Sequence, residues 1–437
     1  MAVNTDITLR NKLVYQVFSR QHNSTGTFKE FIKDLDRIKD LGTDYIYFLP
    51  IHEIGQFRKK GDLGCPYSIK DYYSVNHEYG TLQDFKELVS EIHKRDMKVI
   101  IDIVFNHTSH DSVMLNNYSH LYYKNEKGEL SNRIGDWWDI TDLDYSKKEL
   151  YPVMFDILKY WANQGLDGFR CDVASFLPKD FWIEARAEIA KINSKFIWIA
   201  ESVHASGVKE LRDAGFGALS DSEVYEAFDI CYDYDIHHHY LGYFKGENNL
   251  QTYLDSIMFQ ESIYPQNYVK LRFLENHDQP RVASLVNNFD KLLNFTAFNL
   301  FLKGTSMVYA GQEAQASHHP DLFNTDKVDW SKLDESREIS AIINKIITLK
   351  KEDSIFVNGK FNIRKMYIDG LVHITYENEK KTIHGFFNLK GVDGYLKLNV
   401  PELEHELYKN ILTGENVQIF QGNMPIYKKP VILTILK

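Results

Sequence analysis

The chain has 437 residues, 43% of them hydrophobic and 26% charged, with a net charge of −10 from 51 basic and 61 acidic side chains. That length exceeds one compact unit and predicts a large domain with a smaller one, while the acidic balance excludes the basic footprint of a nucleic-acid binder. Residues 1–10 carry no apolar leader, no run approaches the roughly 18 apolar residues of a membrane span, and Cys65, Cys171 and Cys231 have no disulfide or metal spacing, so a soluble cytoplasmic protein is expected, with its oligomeric state open.

Leu13–Phe18 reads as a first apolar strand. Thr27 and Glu30 form a capping-box pattern for a helix to about Leu41, stopped by Gly42. Asp44–Pro50 is a second strand, Leu82–Arg95 an amphipathic helix, and Val99–Phe105 a third strand. Strands this uniformly apolar, alternating with helices, predict a parallel sheet covered on both faces. From His107 to Ser146 the pattern breaks into a polar, Tyr/Trp-rich stretch, too long for an ordinary connection and predicted as an inserted subdomain over 107–146. Alternation resumes with a helix over Lys148–Asn163, a strand at Gly168–Val173, a helix over Phe181–Lys191 and a strand at Phe196–Ser202. A short helix near Val208–Ala214, a weak strand at Ala218–Ser222 and helical stretches over Tyr225–Tyr243 and Leu250–Phe259 follow. The strand Val269–Leu274, a helix over Val282–Phe301, the strand Ser306–Ala310 and a helix over Glu338–Lys350 complete the set. Eight strands, each followed by helical material, predict a (β/α)₈ TIM barrel over 1–106 and 147–352. After Glu352 the period becomes two, in Val372–Tyr376, His384–Leu389, Leu396–Val400 and Val431–Leu436, which predicts a C-terminal antiparallel β-sandwich over 353–437.

In such a barrel the strand ends gather at one face, where active sites form. Asp102, Asn106 and His107 end the third strand, Arg170 and Asp172 the fourth, Glu201 the fifth, and His277 and Asp278 the seventh. Arg170 and Asp172 project from one side of their strand, so the arginine can hold that carboxylate ionised and oriented, as a nucleophile requires. Cleaving an acetal between sugars needs two carboxyl groups, and an anionic Asp172 would help Glu201 keep its proton by raising its pKa.

Asp102-Ile-Val-Phe-Asn106-His107, Gly168-Phe-Arg170-Cys-Asp172, the strand ending in Glu201, and Asn276-His277-Asp278 resemble, in order, the four signature regions of the α-amylase family, glycoside hydrolase family 13. The likeness spans nearly the whole chain. It implies a retaining mechanism with Asp172 as nucleophile and Glu201 as general acid/base, their carboxyls about 5 Å apart. Asp278 would be the third carboxylate, on the sugar hydroxyls. The resemblance also makes Tyr67 an aromatic platform, has Arg170 orient Asp172, and places Asp102, His107 and His277 among the substrate-binding residues. Asp142-Leu-Asp144 resembles the family's extra region at the end of the insert. Trp137, Trp138, Tyr234 and Phe244 are aromatic candidates for the cleft.

The sequence also departs from that pattern. Where many secreted members have Lys-His after the nucleophile, with the histidine carbonyl on a structural calcium, this chain has Ser175 and Phe176, and its insert is short. No metal or other cofactor is therefore expected, with Asn106 bracing the loop by hydrogen bonds. Cys65-Pro66-Tyr67 replaces the family's His-Gly-Tyr, which removes one sugar-contacting histidine. Val173 after the nucleophile resembles the neopullulanase and oligo-1,6-glucosidase branches. The expected substrate is a maltooligosaccharide or other α-glucan cut at α-1,4 bonds. The alternatives are an α-1,6-tolerant oligosaccharide glucosidase, a transglycosylase or phosphorylase of the same family, and an inactive binding subunit.

Overall fold

Eight short strands close into a parallel barrel: β1 (Leu13–Val17), β2 (Tyr45–Phe48), β3 (Lys98–Ile103), β4 (Gly168–Cys171), β5 (Ile197–Ala200), β6 (Ile230–Tyr232), β7 (Lys270–Arg272) and β8 (Thr305–Tyr309). The computed structural model describes residues 4–134, 136–398, 400–403 and 407–437. Apart from Lys98 at the start of β3, every barrel-strand residue is buried, which explains their near-continuous apolar sequences: one side of the strand packs under helices and the other fills the barrel. Several exceptions to apolarity meet one another, with Tyr47 on β2 and Arg170 on β4 both bonded to Asp102 on β3. Gln16 on β1 reaches His277, while Lys270 and Arg272 on β7 pair with carboxylates outside the barrel strands. Asp102 and Arg170 stand directly opposite in the β3–β4 register.

The sixth strand differs from the sequence expectation. Ala218–Ser222 is not a strand; it leads into a short helix, Asp221–Val224, closed by a capping box between Ser220 and Glu223. The strand lies further on, at β6, inside the stretch predicted as helix over Tyr225–Tyr243, and the helix begins only at Tyr234. Three residues are too few for a visible period. Their placement is set by the flanking carboxylates: Asp229 accepts the Trp198 backbone N–H at 3.0 Å, and Asp233 takes Arg272 of β7 at 2.8 Å. Two other predicted helices are each broken in two. One break falls at Asp34, which is held by His22 and Arg37, and the other at Asn287–Asn288, where Asn288 caps a new helix over Phe289–Phe301.

Beyond the barrel, β9 (Lys360–Arg364), β10 (Leu371–Glu377), β11 (Lys381–Asn388) and β12 (Val431–Leu436) form an antiparallel sheet in that order. One face packs on the Phe289–Phe301 helix, with Phe298 against Phe387 and Phe301 against Tyr376. The other face carries a separate apolar core around Leu371, Phe386, Leu396, Met424 and Leu433. Two short ribbons, Tyr395–Lys397 with Asn423–Pro425 and Leu407–Lys409 with Asn416–Gln418, contribute to that second layer.

Gly168 begins the strand that carries Arg170. A Cβ there would come within 2.6 Å of Ile197 Cγ1 and 2.8 Å of the Ile197 carbonyl oxygen. Gly168→Ala is therefore expected to wedge β4 from β5 and lower stability by about 1–3 kcal/mol; an unchanged urea midpoint would show that the strands give way freely.

Candidate active site

The pocket at the C-terminal face of the barrel has a volume of about 190 Å³ and is lined by Tyr67, His107, Trp137, Asp172, Glu201 and Asp278, among others. Of the eight site residues expected from sequence, five therefore line one cavity. The other three, Asp102, Arg170 and His277, are enclosed behind it.

Arg170 organises the floor. Its Nη1 donates to Asp102 Oδ1 and Oδ2 at 2.9 Å each and to Asp172 Oδ1 at 3.0 Å. Its Nη2 lies 3.1 Å from Glu201 Oε1, an ionic contact off the hydrogen-bonding direction. Asp102 is fully buried and does not touch the pocket. It accepts from Tyr47 Oη at 2.7 Å and from Tyr67 Oη at 2.9 Å, so it fixes the pocket's tyrosine and its arginine together. His277 lies between Gln16, 3.0 Å away at Nδ1, and Tyr67 Oη, 2.6 Å away at Nε2. Its ring stacks on that of Tyr67 at 5.4 Å, and its Nε2 is 3.1 Å from Asp278 Oδ2.

The turn after β4 aims the second carboxyl. Val173 has φ 36° and ψ 46°, a left-handed conformation that a β-branched side chain resists. In that conformation its N–H donates to Glu201 Oε2 at 2.7 Å. The strained residue thus ties the strand-four carboxyl to the strand-five one.

Burial pushes Asp172 well above the usual carboxylate range, the Glu201 carboxylate adds to the push, and Arg170 opposes it. The raised carboxyl is expected at Glu201 from the sequence; the structure raises Asp172 instead. Burial alone would favour a neutral Asp278, but His277, Arg170 and His319 hold it below its ordinary value. Burial also keeps His107 below the usual imidazole range, against Asp142 and Asp139.

The insert is tied to β3 at Asn106. The Arg133 guanidinium donates to Asn106 Oδ1 at 2.5 Å and to Asp142 Oδ2 at 2.9 Å, and Asp142 Oδ2 also takes the Arg133 backbone N–H at 3.0 Å. Asn106 Nδ2 reaches Asp142 Oδ1 at 3.3 Å, so Asn106 braces the loop as expected. The oxygens that could face a divalent ion here face N–H groups, and a cation-binding arrangement does not fit these residues. Among the described residues there is no group of three or more His, Cys, Asp or Glu side chains suited to a metal.

Of the aromatic candidates, Trp137 lines the pocket and Trp138 is exposed nearby, with Lys60 Nζ 5.7 Å above its ring. Tyr234 is buried and accepts from Asn276, and Phe244 lies elsewhere, in a groove beside the C-terminal sheet. Lys60, Asp139, Leu322 and Phe323 also line the pocket and were not singled out from sequence. They come from three different loops and share no motif or period.

A parallel barrel whose strand ends bring two carboxyls onto one guanidinium, with a third lining the same pocket, has the means to cleave a glycosidic bond. The chain belongs to the α-amylase family, glycoside hydrolase family 13, and is an α-amylase-type glycoside hydrolase: the family description "Alpha amylase, catalytic domain" matches residues 15–356, and "Bacterial Alpha amylase C-terminal domain" matches residues 362–433. An α-amylase crystal structure from Lactobacillus plantarum is 38% identical with a TM-score of 0.93, the match covering 98% of this chain and 100% of that one. A noncanonic maltogenic α-amylase from Thermotoga neapolitana is 30% identical with a TM-score of 0.86, over 98% and 100% of the two chains. Neopullulanase 2 of Thermoactinomyces vulgaris is 25% identical over 93% of this chain and 69% of its own length. Among the described residues no helix is long and apolar enough to cross a membrane.

Isolated carboxyls have pKa values near 4, and burial with the facing Glu201 carboxylate holds Asp172 above that range. A reaction that needs ionised Asp172 should therefore lose kcat/KM as pH falls through an acid limb lying above the ordinary carboxylate range. An acid limb centred near pH 4 would contradict the raised Asp172.

Proposed function

We propose that the protein is a retaining hydrolase of α-1,4-glucosidic bonds in maltooligosaccharides. The observation that carries this reading is the convergence of Asp172 and Glu201 on neighbouring nitrogens of one guanidinium, which favours the short carboxyl separation of a retaining enzyme. Asp172 in its ionised form attacks the anomeric carbon, and the bond to the leaving oxygen breaks as that oxygen takes the proton from Glu201. Glu201, now ionised, removes a proton from water, whose oxygen bonds to the anomeric carbon as the bond to Asp172 breaks. Asp278 and His107 hold ring hydroxyls, and the Tyr67 ring, fixed by Asp102 and His277, supports the sugar's apolar face. The names of relatives, which include a maltogenic α-amylase, a neopullulanase and an oligo-1,6-glucosidase, support an α-glucan substrate.

Asp172→Asn should lower kcat on maltotriose by roughly 10³-fold or more. Glu201→Gln should lower it by about 10²–10⁴-fold, yet still release the aryl group of dinitrophenyl α-glucoside in one burst, with azide restoring turnover as α-glucosyl azide. First-formed sugar of the β configuration, seen by NMR, would rule out retention.

We also infer that the insert is held by Arg133 in place of a divalent ion. Removing that guanidinium would leave Asp142, 2% exposed, without its charge partner. Arg133→Met is expected to cost about 3 kcal/mol, while dialysis against EDTA should leave the melting temperature and the rate unchanged. A loss on EDTA treatment that added calcium reverses would sink the inference.

A further inference from the structure

Three loops meet along one side of the catalytic pocket. The first joins His52–Ile54 to Ile69–Val75, the second is the insert after β3, and the third follows β8. Backbone contacts latch the first loop to the third: Leu63 N donates to Phe323 O at 2.9 Å, and Asp62 N to Asn324 Oδ1 at 2.9 Å. Buried Arg20 fastens both from below, donating to Gly64 O at 3.0 Å and to Leu322 O at 2.8 Å. The first loop is latched to the insert by Ser68 Oγ on Asp139 O at 3.1 Å and by the ion pair of Lys60 Nζ with Asp139 Oδ1 at 2.8 Å. Lys60 Nζ also lies 5.7 Å from the centroid of the Phe323 ring. The result is a continuous wall.

The opposite side is built differently. Glu201, bound by the Val173 N–H, marks the side of the leaving group. Three residues beyond Val173, Phe176 packs on Trp137 at 6.4 Å and begins a second cleft of about 660 Å³. A chain leaving the catalytic carboxyls therefore has room on the Glu201 side, whereas on the other side the 190 Å³ pocket ends at the wall.

Within that wall Asp139 is unusual. It lines the pocket and is 3% exposed, yet its Oδ2 has no hydrogen-bond partner. Lys60 spends one direction of its ammonium on Asp139 Oδ1 and has further N–H groups to give. A buried acceptor without a partner beside a partly free donor matches neighbouring hydroxyls of a sugar ring, each of which both gives and accepts.

We propose that the pocket is blind at the glycon end, and that Lys60 and Asp139 bind hydroxyls of the terminal non-reducing ring, so that the protein removes single glucose units from chain ends. This rests on the α-glucan hydrolase reading above, and the test separates the two. Maltoheptaose and maltoheptaose blocked at its non-reducing end by a 4,6-O-ethylidene group are digested side by side with the native enzyme, and the products are followed by chromatography. Glucose as the first product of the free chain, with the blocked chain cut at least 100-fold more slowly, is the expected result. Equal cleavage of both into mixed fragments overturns the blind pocket and leaves the hydrolase reading standing; cleavage of neither overturns that reading and the proposal with it. Asp139→Asn and Lys60→Met should each raise KM for maltotriose at least tenfold while kcat changes less than threefold. If KM is unchanged in Lys60→Met while its circular dichroism spectrum matches that of the native enzyme, the pair does not bind the substrate.

Discussion

The structure depends on a guanidinium held inside the barrel. Arg170 is fully enclosed and faces three carboxyl groups, Asp102, Asp172 and Glu201, each supplied by a different strand or strand end. Desolvating charges is expensive, by several kcal/mol per ion even after relaxation, so the group of four is stable only when its members are matched. One positive charge against three potential negative ones is unmatched. Holding Asp172 above the usual carboxylate range reduces the imbalance, and Asp172 is also the group on which the proposed chemistry turns. The electrostatics of folding and of catalysis are thus one constraint, and Asp102 serves both without touching the pocket.

This arrangement explains what could be read from the sequence. Strands buried on both faces have to be apolar, so Asp102, Arg170, Glu201 and His277 stand out as exceptions at or near strand ends, and the parallel barrel brings them together. Their partners were harder to see. Gln16 and Tyr47 lie within apolar runs and show their role only when the barrel closes. Asp102 reads as a pocket residue because its neighbours in the chain are, yet the two tyrosines above it cover its carboxylate. The sixth strand was hidden by its length and by aromatic and histidine residues that satisfy a helical period as well. The Ser220–Glu223 capping box was a legible sign that a helix, and no strand, lay there.

The insert illustrates the same economy of charge at the edge of the site. A planar guanidinium satisfies Asn106 and Asp142 in fixed directions, whereas a spherical ion would need a cage of oxygens around it. Because Asn106 lies three residues beyond β3 and precedes His107, the clamp also positions a residue that lines the pocket.

The loop wall is joined largely through main-chain atoms. Leu63 donates through its amide, Phe323, Gly64 and Leu322 accept through their carbonyls, and Arg20, Lys60, Ser68, Asp139 and Asn324 contribute side chains to these latches. Peptide groups are the same whatever residue bears them, so the identities of Asp62, Leu63 and Leu322 can drift while the wall keeps its shape, whereas Gly61 and Gly64, at φ 60° and 82°, have no room for a Cβ. Two homologous chains could therefore share this boundary with little more than two glycines in common along it. Two others with similar letters could lose it through a one-residue deletion that shifts the amides out of register.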